Sequence, residues 1–303
     1  EQAVHPQKVL ENWLGFRLEP GKNIEQFIET VCRVNPDLPG FLINGEVFPN
    51  PLVHARYPEY WGENRPIDIA VGFIHGDLNK NNILVNFAGD KETLEGYYLI
   101  DFALFKEQLP LLYDQRYLEM SYLIHAMAHV SFAKCVDLMT LLAEADTPEP
   151  HSAPIEMAGT TTVIAAGRSA FADWVTENHP SLHDDLWAQY WLAGVAAGLS
   201  YCHKAGQSDE NRLAGLIYAA ANLKRYAALF PLPAPAEVRQ LYDENQFSIS
   251  QQQGVLSTAE QPGARQHNLP AQLTPFIGRV EHLATVIDML LNPDVRLVTL
   301  LGP

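Results

Sequence analysis

The sequence predicts an α+β fold: a mainly helical domain with a small β region, then a linker and the start of an α/β domain. Three observations support this prediction. Apolar residues recur at helical spacing over much of the chain. Short β-rich apolar runs lie between residues 71 and 100, and an apolar run ending in glycine closes the sequence. We therefore assign residues 1–245 to the first domain, 246–268 to the linker and 269–303 to the start of the second domain.

Composition excludes several classes of protein. The chain has 303 residues, of which 47% are hydrophobic and 18% charged, as in ordinary globular proteins. Its formal net charge of −16 disfavours direct binding to nucleic acid or to an anionic membrane. A nucleotide could still bind, because magnesium supplies local positive charge. No stretch approaches the roughly 20 apolar residues of a membrane span, and no signal segment is recognised.

The three cysteines are widely spaced and match neither a disulfide framework nor a zinc site. We therefore expect a reducing compartment and assign the protein to the cytoplasm.

The first 70 residues are predicted to be helices joined by turns. Apolar residues recur at helical spacing in two segments, 9–14 and 24–31. Proline-containing clusters at 36–40 and 48–51 predict turns between these helices and the β region.

The β region surrounds the most informative motif of the chain. Residues 75–84 and 99–103 contain a His-x-Asp that ends at Asp77, an asparagine five positions later at Asn82, and a second aspartate at Asp101. Apolar runs on both sides of these polar residues predict a strand, loop, strand, turn and strand. Such an arrangement would place all three side chains at neighbouring loop ends.

These residue types suit phosphoryl transfer. That reaction uses one carboxylate to orient or deprotonate the attacking hydroxyl, and an amide and a carboxylate to hold magnesium against the triphosphate. Asp77 is the right type for the base, while Asn82 and Asp101 are the right types for the metal. The alternative is that the three residues cap turns and a helix, as Asp and Asn often do.

At this motif the chain resembles the aminoglycoside phosphotransferase and choline kinase branch of the kinase-like fold. That branch has a small residue, here Gly76, where protein kinases have arginine. More narrowly, the pattern is similar to the bacterial ternary complex associated domain family, in which a helix with a Leu-Glu pair follows, here Leu118 and Glu119. Asn79 replaces the usual histidine of that pattern.

The resemblance implies a protein-kinase-like C-lobe that binds ATP and Mg²⁺. It implies that Asp77 is the catalytic base, that His75 braces the catalytic loop, and that Asn82 and Asp101 bind the nucleotide as magnesium ligands. Such folds normally also have a β-rich N-lobe with a Gly-rich loop and a lysine for the phosphates. Residues 1–70 contain neither feature, so we expect the N-lobe to be missing; the alternative is a degenerate N-lobe.

Helices are also predicted after the motif, starting with residues 115–145. His125 and His129 lie four positions apart there, but Ala126 occupies the position of the glutamate in a His-Glu-x-x-His zinc motif. We therefore expect these histidines in the core or near the site, and not on zinc.

Two further helices are predicted from apolar spacing at 182–195 and 213–227. Trp187 and Trp191 could line a substrate pocket, but core packing is the preferred interpretation. A polar, proline-containing loop is predicted at 145–155, and a last helical turn at 238–242.

The C-terminal part differs in composition. Residues 248–267 are rich in Gln, Ser and Gly, which is typical of a linker. Residues 294–303 form an apolar run entering Gly302, as at the start of a phosphate-binding P-loop. Together with a Phe-Ile-Gly-Arg string that ends at Arg279, this segment resembles the opening of STAND ATPases of the NB-ARC type. The resemblance implies that Arg279 approaches a nucleotide.

We therefore predict an ATP- and Mg²⁺-dependent phosphotransferase module of a bacterial STAND ATPase signalling regulator. It would transfer the γ-phosphate to a hydroxyl of an unknown protein or small-molecule acceptor. The alternative is a catalytically inactive kinase-like sensing or scaffolding domain. The expected partners are a nucleotide and the acceptor, with no direct nucleic acid and no membrane, and the ATPase domain would be the route to oligomerisation of the whole protein.

Overall fold

A computed structural model describes residues 2–63, 65–87, 94–144, 146 and 155–246. The described residues form a mixed α+β fold, as predicted, with small sheets around a helical core. Residues 247–268 of the predicted linker and residues 269–303, including Arg279, lie outside the described residues, as does most of the predicted loop at 145–155.

The helices are α1 (Pro6–Leu14), α2 (Asn23–Thr30), α3 (Pro51–Arg56), α4 (Tyr113–Ala126), α5 (Phe132–Glu144), α6 (Ala158–Asn178), α7 (His183–His203) and α8 (Asp209–Leu229). The strands are β1 (Gln2–Val4), β2 (Gly40–Ile43), β3 (Glu46–Pro49), β4 (Ile67–Ile69), β5 (Val71–Ile74), β6 (Ile83–Phe87), β7 (Leu94–Leu99), β8 (Lys106–Pro110) and β9 (Val238–Tyr242). The helices predicted in the first 31 residues and around both tryptophans are confirmed, and so are the three strands predicted around the motif.

The core is centred on α7 and α8, which pack against each other and against α4 and α5. The two helices approach backbone to backbone, because a Cβ at Gly198 would overlap the Gly215 carbonyl and a Cβ at Gly215 would overlap that of Gly198. Trp187 and Trp191 on α7 are buried. The preferred prediction that they belong to the core is confirmed.

The strands form four small sheets in the described residues. β1 pairs with β4, β5 with β8 and β6 with β7, all antiparallel. β2 pairs antiparallel with β3 and parallel with β9. The β2–β3 connection is an Asn44–Gly45 turn in which both residues have positive φ, 48° and 78°, as a tight hairpin requires.

Three predictions about secondary structure were wrong. Residues 1–70 contain the strands β1 to β4, where only helices joined by turns were predicted, because these strands form by pairing with one another and with β9. Val238–Tyr242 is the strand β9 and not a helical turn, because its backbone pairs with β2 and buries Leu241 and Tyr242. The turn predicted at 48–51 is instead the end of β3 and the start of α3, where Pro51 occupies the first turn of the helix.

Of the two places predicted for His125 and His129, the core was wrong, while a place near the site stays a prediction. Both side chains are exposed, and their rings meet edge to face at 5.5 Å. The reason is that α4 ends at Ala126, so His129 lies in the turn that follows and not on the buried face of a helix.

Candidate active site

The loop after β5 is fixed by hydrogen bonds to two other segments. His75 is buried, and its Nε2 lies 2.8 Å from the carbonyl oxygen of Ile100. The backbone N–H of His75 donates to Oδ2 of Asp114 at 2.5 Å, and that of Gly76 donates to Oδ1 of the same carboxylate at 2.9 Å. One carboxylate on the first turn of α4 therefore holds two consecutive amides of the motif.

Gly76 is required by the shape of this loop. Its φ is +82°, in the left-handed region, and an added Cβ would overlap the carbonyl oxygen of Leu104. A side chain at this position would therefore meet both backbone strain and a steric clash. This explains physically why the motif has glycine between its histidine and its first aspartate.

Hydrogen bonds bring the three predicted segments together. The side-chain amide of Asn82 donates to the carbonyl oxygen of Asp77 at 2.8 Å. The backbone carbonyl of Asn82 accepts from the N–H of Ile100 at 3.0 Å. Since His75 binds the carbonyl of Ile100, both backbone groups of that residue are held by motif residues. Asp101 follows directly, so its position is tied to both Asp77 and Asn82.

Asp101 has an unusual backbone conformation. Its φ and ψ are 64° and 62°, in the left-handed region, and its side chain is exposed. This region costs a non-glycine residue roughly 1–2 kcal/mol, although aspartate tolerates it better than most. Residues held in this way concentrate at functional sites. The conformation is therefore consistent with a constrained site at Asp101.

Asp77 is accompanied by a lysine that sequence reasoning missed. Lys204, at the residue after α7, places its Nζ 3.2 Å from Oδ1 of Asp77. The ammonium also lies 5.1 Å from the ring centre of Tyr117 and 5.2 Å from that of Tyr201. These cation–π contacts and the ion pair hold the ammonium beside the carboxylate.

The tyrosine hydroxyl groups beneath Asp77 stay protonated, and therefore neutral, at physiological pH. Burial raises the pKa of Tyr117 and of Tyr201, and the negative charge of Asp77 raises both further. Burial also raises the pKa of Tyr113 to about 12, and its hydroxyl donates to Ser200 at 2.9 Å. The side chains packed beneath Asp77 are therefore aromatic, and their hydroxyl groups carry no charge.

Asp114 was also missed by sequence reasoning. Burial raises its pKa, while the hydrogen bonds from the His75 and Gly76 amides oppose that rise. The only local signal was an aspartate in the first turn of a predicted helix, which is common for reasons of the helix dipole alone.

The Leu-Glu pair on the same helix has a structural role. Glu119 is buried and accepts from Nη1 of Arg116 at 2.6 Å, from Nη2 of Arg168 at 2.8 Å and from the hydroxyl of Tyr218 at 2.8 Å. These contacts join α4, α6 and α8. Because α4 also carries Asp114, one helix connects the motif loop to the helical core.

Large apolar side chains are exposed around the motif. Phe73 and Phe105 stack at 5.8 Å between ring centres, and Phe102 lies 4.8 Å from the His75 ring. The exposed apolar side chains between β5 and β8 are Val71, Phe73, Leu84, Val85, Tyr97, Tyr98, Phe102, Leu104 and Phe105. Exposed apolar patches of this kind are common at binding surfaces.

Comparison with known families decides the classification. A family model described as ternary complex associated domain 9 matches residues 31–188, just over half of the chain. The chain belongs to this family. The ternary complex associated domain match includes the whole motif, Asp114 and Glu119, which confirms the narrower resemblance found in the sequence. No curated protein and no solved structure matches the chain.

No group of three or more His, Cys, Asp or Glu that could hold a metal ion occurs in the described part of the chain. A magnesium held by one carboxylate, one amide and nucleotide phosphates does not need such a group. No helix in the same part is both long and apolar enough to cross a membrane.

Proposed function

We propose that this ternary complex associated domain is an ATP- and Mg²⁺-dependent phosphotransferase module with a kinase-like C-lobe. The observation that supports this proposal is the hydrogen-bonded closure of the motif. Asn82 binds the Asp77 carbonyl, and the backbone of Ile100 is held by His75 and Asn82, which fixes Asp101 beside them.

Each motif residue then has a role that its contacts allow. Asp77 is the carboxylate that orients or deprotonates the acceptor hydroxyl. The side-chain nitrogen of Asn82 is hydrogen-bonded to the Asp77 carbonyl, so its Oδ1 is the atom that binds magnesium. Asp101 supplies the carboxylate ligand. Magnesium, when bound, neutralises charge on the triphosphate. His75 and Asp114 hold the loop that carries Asp77.

The exposed apolar surface around Phe102 fits the same proposal. In a kinase-like enzyme a second lobe carries the Gly-rich loop and the lysine that hold the phosphates. We propose that such a lobe covers this surface. From the sequence of residues 269–303 alone, we also propose that the module is joined to a STAND ATPase, with Arg279 at its nucleotide.

One observation favours a second candidate, an inactive kinase-like domain that senses or scaffolds. The Lys204 ammonium pairs with Asp77, the group that would take the acceptor proton. The ion pair occupies an oxygen of the carboxylate that the acceptor hydroxyl would need, and a domain without turnover would keep such a contact.

Magnesium-dependent nucleotide binding tests the phosphotransferase proposal. Calorimetry with ATP, with and without Mg²⁺, compares the protein at its full natural length with its Asp101→Ala variant. We expect binding that requires Mg²⁺ and that Asp101→Ala removes. Asp173→Ala, an exposed aspartate on α6, is the matched control and should bind as the wild type does. Equal affinity in Asp101→Ala and wild type would contradict the metal assignment.

A further inference from the structure

Basic side chains surround the C-terminal end of α7, on the same side as Asp77. We call this group the basic cluster; it consists of Arg17, Lys22, His203, Lys204 and Arg212. The members come from the segment between α1 and α2, from the end of α7 and from the first turn of α8. The group cannot be recognised in the sequence, because its members are spread over nearly 200 residues.

The members of the cluster are close enough to affect one another. Burial lowers the pKa of the His203 imidazole. Three neighbouring positive charges lower it further, and they belong to Arg17, Arg212 and Lys22. The ring of Phe16 lies 5.7 Å from that of His203, and the Arg17 guanidinium lies 5.4 Å from the Phe16 ring.

The cluster adjoins the candidate base. Lys204 is both a member of the cluster and the partner of Asp77 at 3.2 Å. An ammonium has three N–H donors, so one contact with Asp77 leaves others for a ligand. Burial mainly raises the pKa of the Tyr113 phenol, while the positive charge of Arg17 lowers it and the negative charge of Asp77 raises it, so both charges lie near this hydroxyl.

Part of the positive charge is not neutralised by acidic groups. Arg17 donates to the carbonyls of Trp13 and Leu14 at the end of α1, each at 3.4 Å. Arg212 donates to the carbonyls of Cys202 and Asn23, at 2.8 and 2.7 Å. Neither arginine forms an ion pair within the described residues.

Two acidic side chains also lie near the cluster. Glu19 pairs with Lys22 at 3.3 Å on the surface. Burial mainly raises the pKa of the Cys32 thiol, the charge of Arg212 lowers it and the charge of Asp209 raises it, so Asp209 lies near Arg212. Capping of helix ends explains where the two arginines lie. It does not explain a surplus of positive charge beside a catalytic carboxylate in a chain with a net charge of −16.

We propose that the basic cluster binds an anionic group of the phosphate acceptor. The acceptor is then a hydroxyl compound that carries a phosphate or a carboxylate. Lys204 and Arg17 bind the anionic group, and the acceptor hydroxyl reaches Asp77. A cationic acceptor, such as an amino sugar or a quaternary ammonium alcohol, is repelled. This inference rests on the proposed role of Asp77 as the base.

Binding of small ions to the 303-residue chain tests the inference without any need for turnover. The probes are inorganic phosphate and tetramethylammonium, followed by NMR shifts of the backbone amides at 203–204 and 76–77. We expect phosphate to shift these amides, more weakly as salt rises, and tetramethylammonium to leave them unchanged. Lys204→Gln and Arg17→Gln should each weaken phosphate binding roughly tenfold, as loss of one charged contact does.

The matched control is Lys8→Gln, which removes the same charge from an exposed pair with Glu11 on α1. It should leave phosphate binding unchanged. Three results would each overturn the inference: no phosphate shift at these amides, equal weakening by Lys8→Gln, or tighter binding of tetramethylammonium there. Displacement of phosphate by Mg²⁺-ADP would assign the cluster to the nucleotide and would also overturn it. The phosphotransferase proposal is tested separately: it fails if Asp101→Ala binds Mg²⁺-ATP as tightly as the wild type does.

Discussion

The buried carboxylate of Glu119 should be the most costly charged group to remove from the described core. Glu119 is 5% exposed, and its two partners Arg116 and Arg168 are 0% and 1% exposed. The change Glu119→Gln keeps the size and one acceptor oxygen of the side chain but removes its charge. Both guanidinium groups would then lack their common counter-ion.

The size of the effect follows from this geometry. Removing one partner of a buried ion pair costs about 3–5 kcal/mol, because the remaining charge is uncompensated. Here one carboxylate serves two arginines, at 2.6 and 2.8 Å, while the retained amide oxygen recovers about 1 kcal/mol of hydrogen bonding. We therefore expect Glu119→Gln to lower the free energy of unfolding by about 2–4 kcal/mol, a large part of a typical domain's 5–15 kcal/mol.

Urea unfolding measures this change against a matched control. Glu11→Gln removes a carboxylate from an exposed pair with Lys8 at 2.9 Å, and we expect a loss below about 0.5 kcal/mol. A loss below about 1 kcal/mol for Glu119→Gln, with an unchanged m-value, would refute the reasoning.

Wild type and Glu119→Gln should also differ in how their stability depends on pH. Burial alone would raise the pKa of Glu119, but the charges of Arg116 and Arg168 lower it below its usual value. A carboxyl with a lowered pKa in the folded state contributes stability above its unfolded pKa of about 4.3. That contribution is lost as the pH falls through the folded pKa. Wild type should therefore lose stability more steeply than Glu119→Gln below about pH 4.

Two further variants test the motif loop. Gly76→Ala should lower the free energy of unfolding by about 2 kcal/mol or more, because of the left-handed φ and the overlap with Leu104. The control is Gly159→Ala in α6, where an added Cβ meets nothing within 4 Å. In thermal unfolding this control should be neutral or stabilising. Asp114→Asn leaves one acceptor oxygen for two backbone amides, those of His75 and Gly76, and should cost about 1–3 kcal/mol. Its phosphoryl-transfer rate should also fall, and an unchanged rate would contradict the positioning role of Asp114.

The motif itself could be predicted because its information is local. A His-x-Asp, an Asn and a second Asp at fixed spacing, with apolar flanks, already define the loops and strands in which they lie. Asp114 and Lys204 could not be found in this way. They reach the motif from 38 and 127 positions away along the chain, and each is common in helix termini for unrelated reasons.

Other differences have identifiable causes. The Asn44–Gly45 hairpin had a usable signal, an Asn-Gly pair between apolar runs, which the proline clusters on either side obscured. Helix α6 has weak amphipathic spacing and contains two glycines and a threonine run, so its sequence does not favour a helix strongly. The strand β9 depends on pairing with β2 from the other end of the chain, which no local pattern records.

The most direct test of phosphoryl transfer is a comparison of turnover and binding in Asp77→Asn. The protein at its full natural length is assayed for γ-phosphate release or transfer from labelled ATP with Mg²⁺, and its Mg²⁺-ATP affinity is measured by calorimetry. A general base acts on the acceptor and not on the nucleotide, so the rate should fall roughly 10²–10⁴-fold at unchanged affinity. Equal rates for wild type and Asp77→Asn would contradict the account, and so would a loss of affinity that accounts for the whole loss of rate.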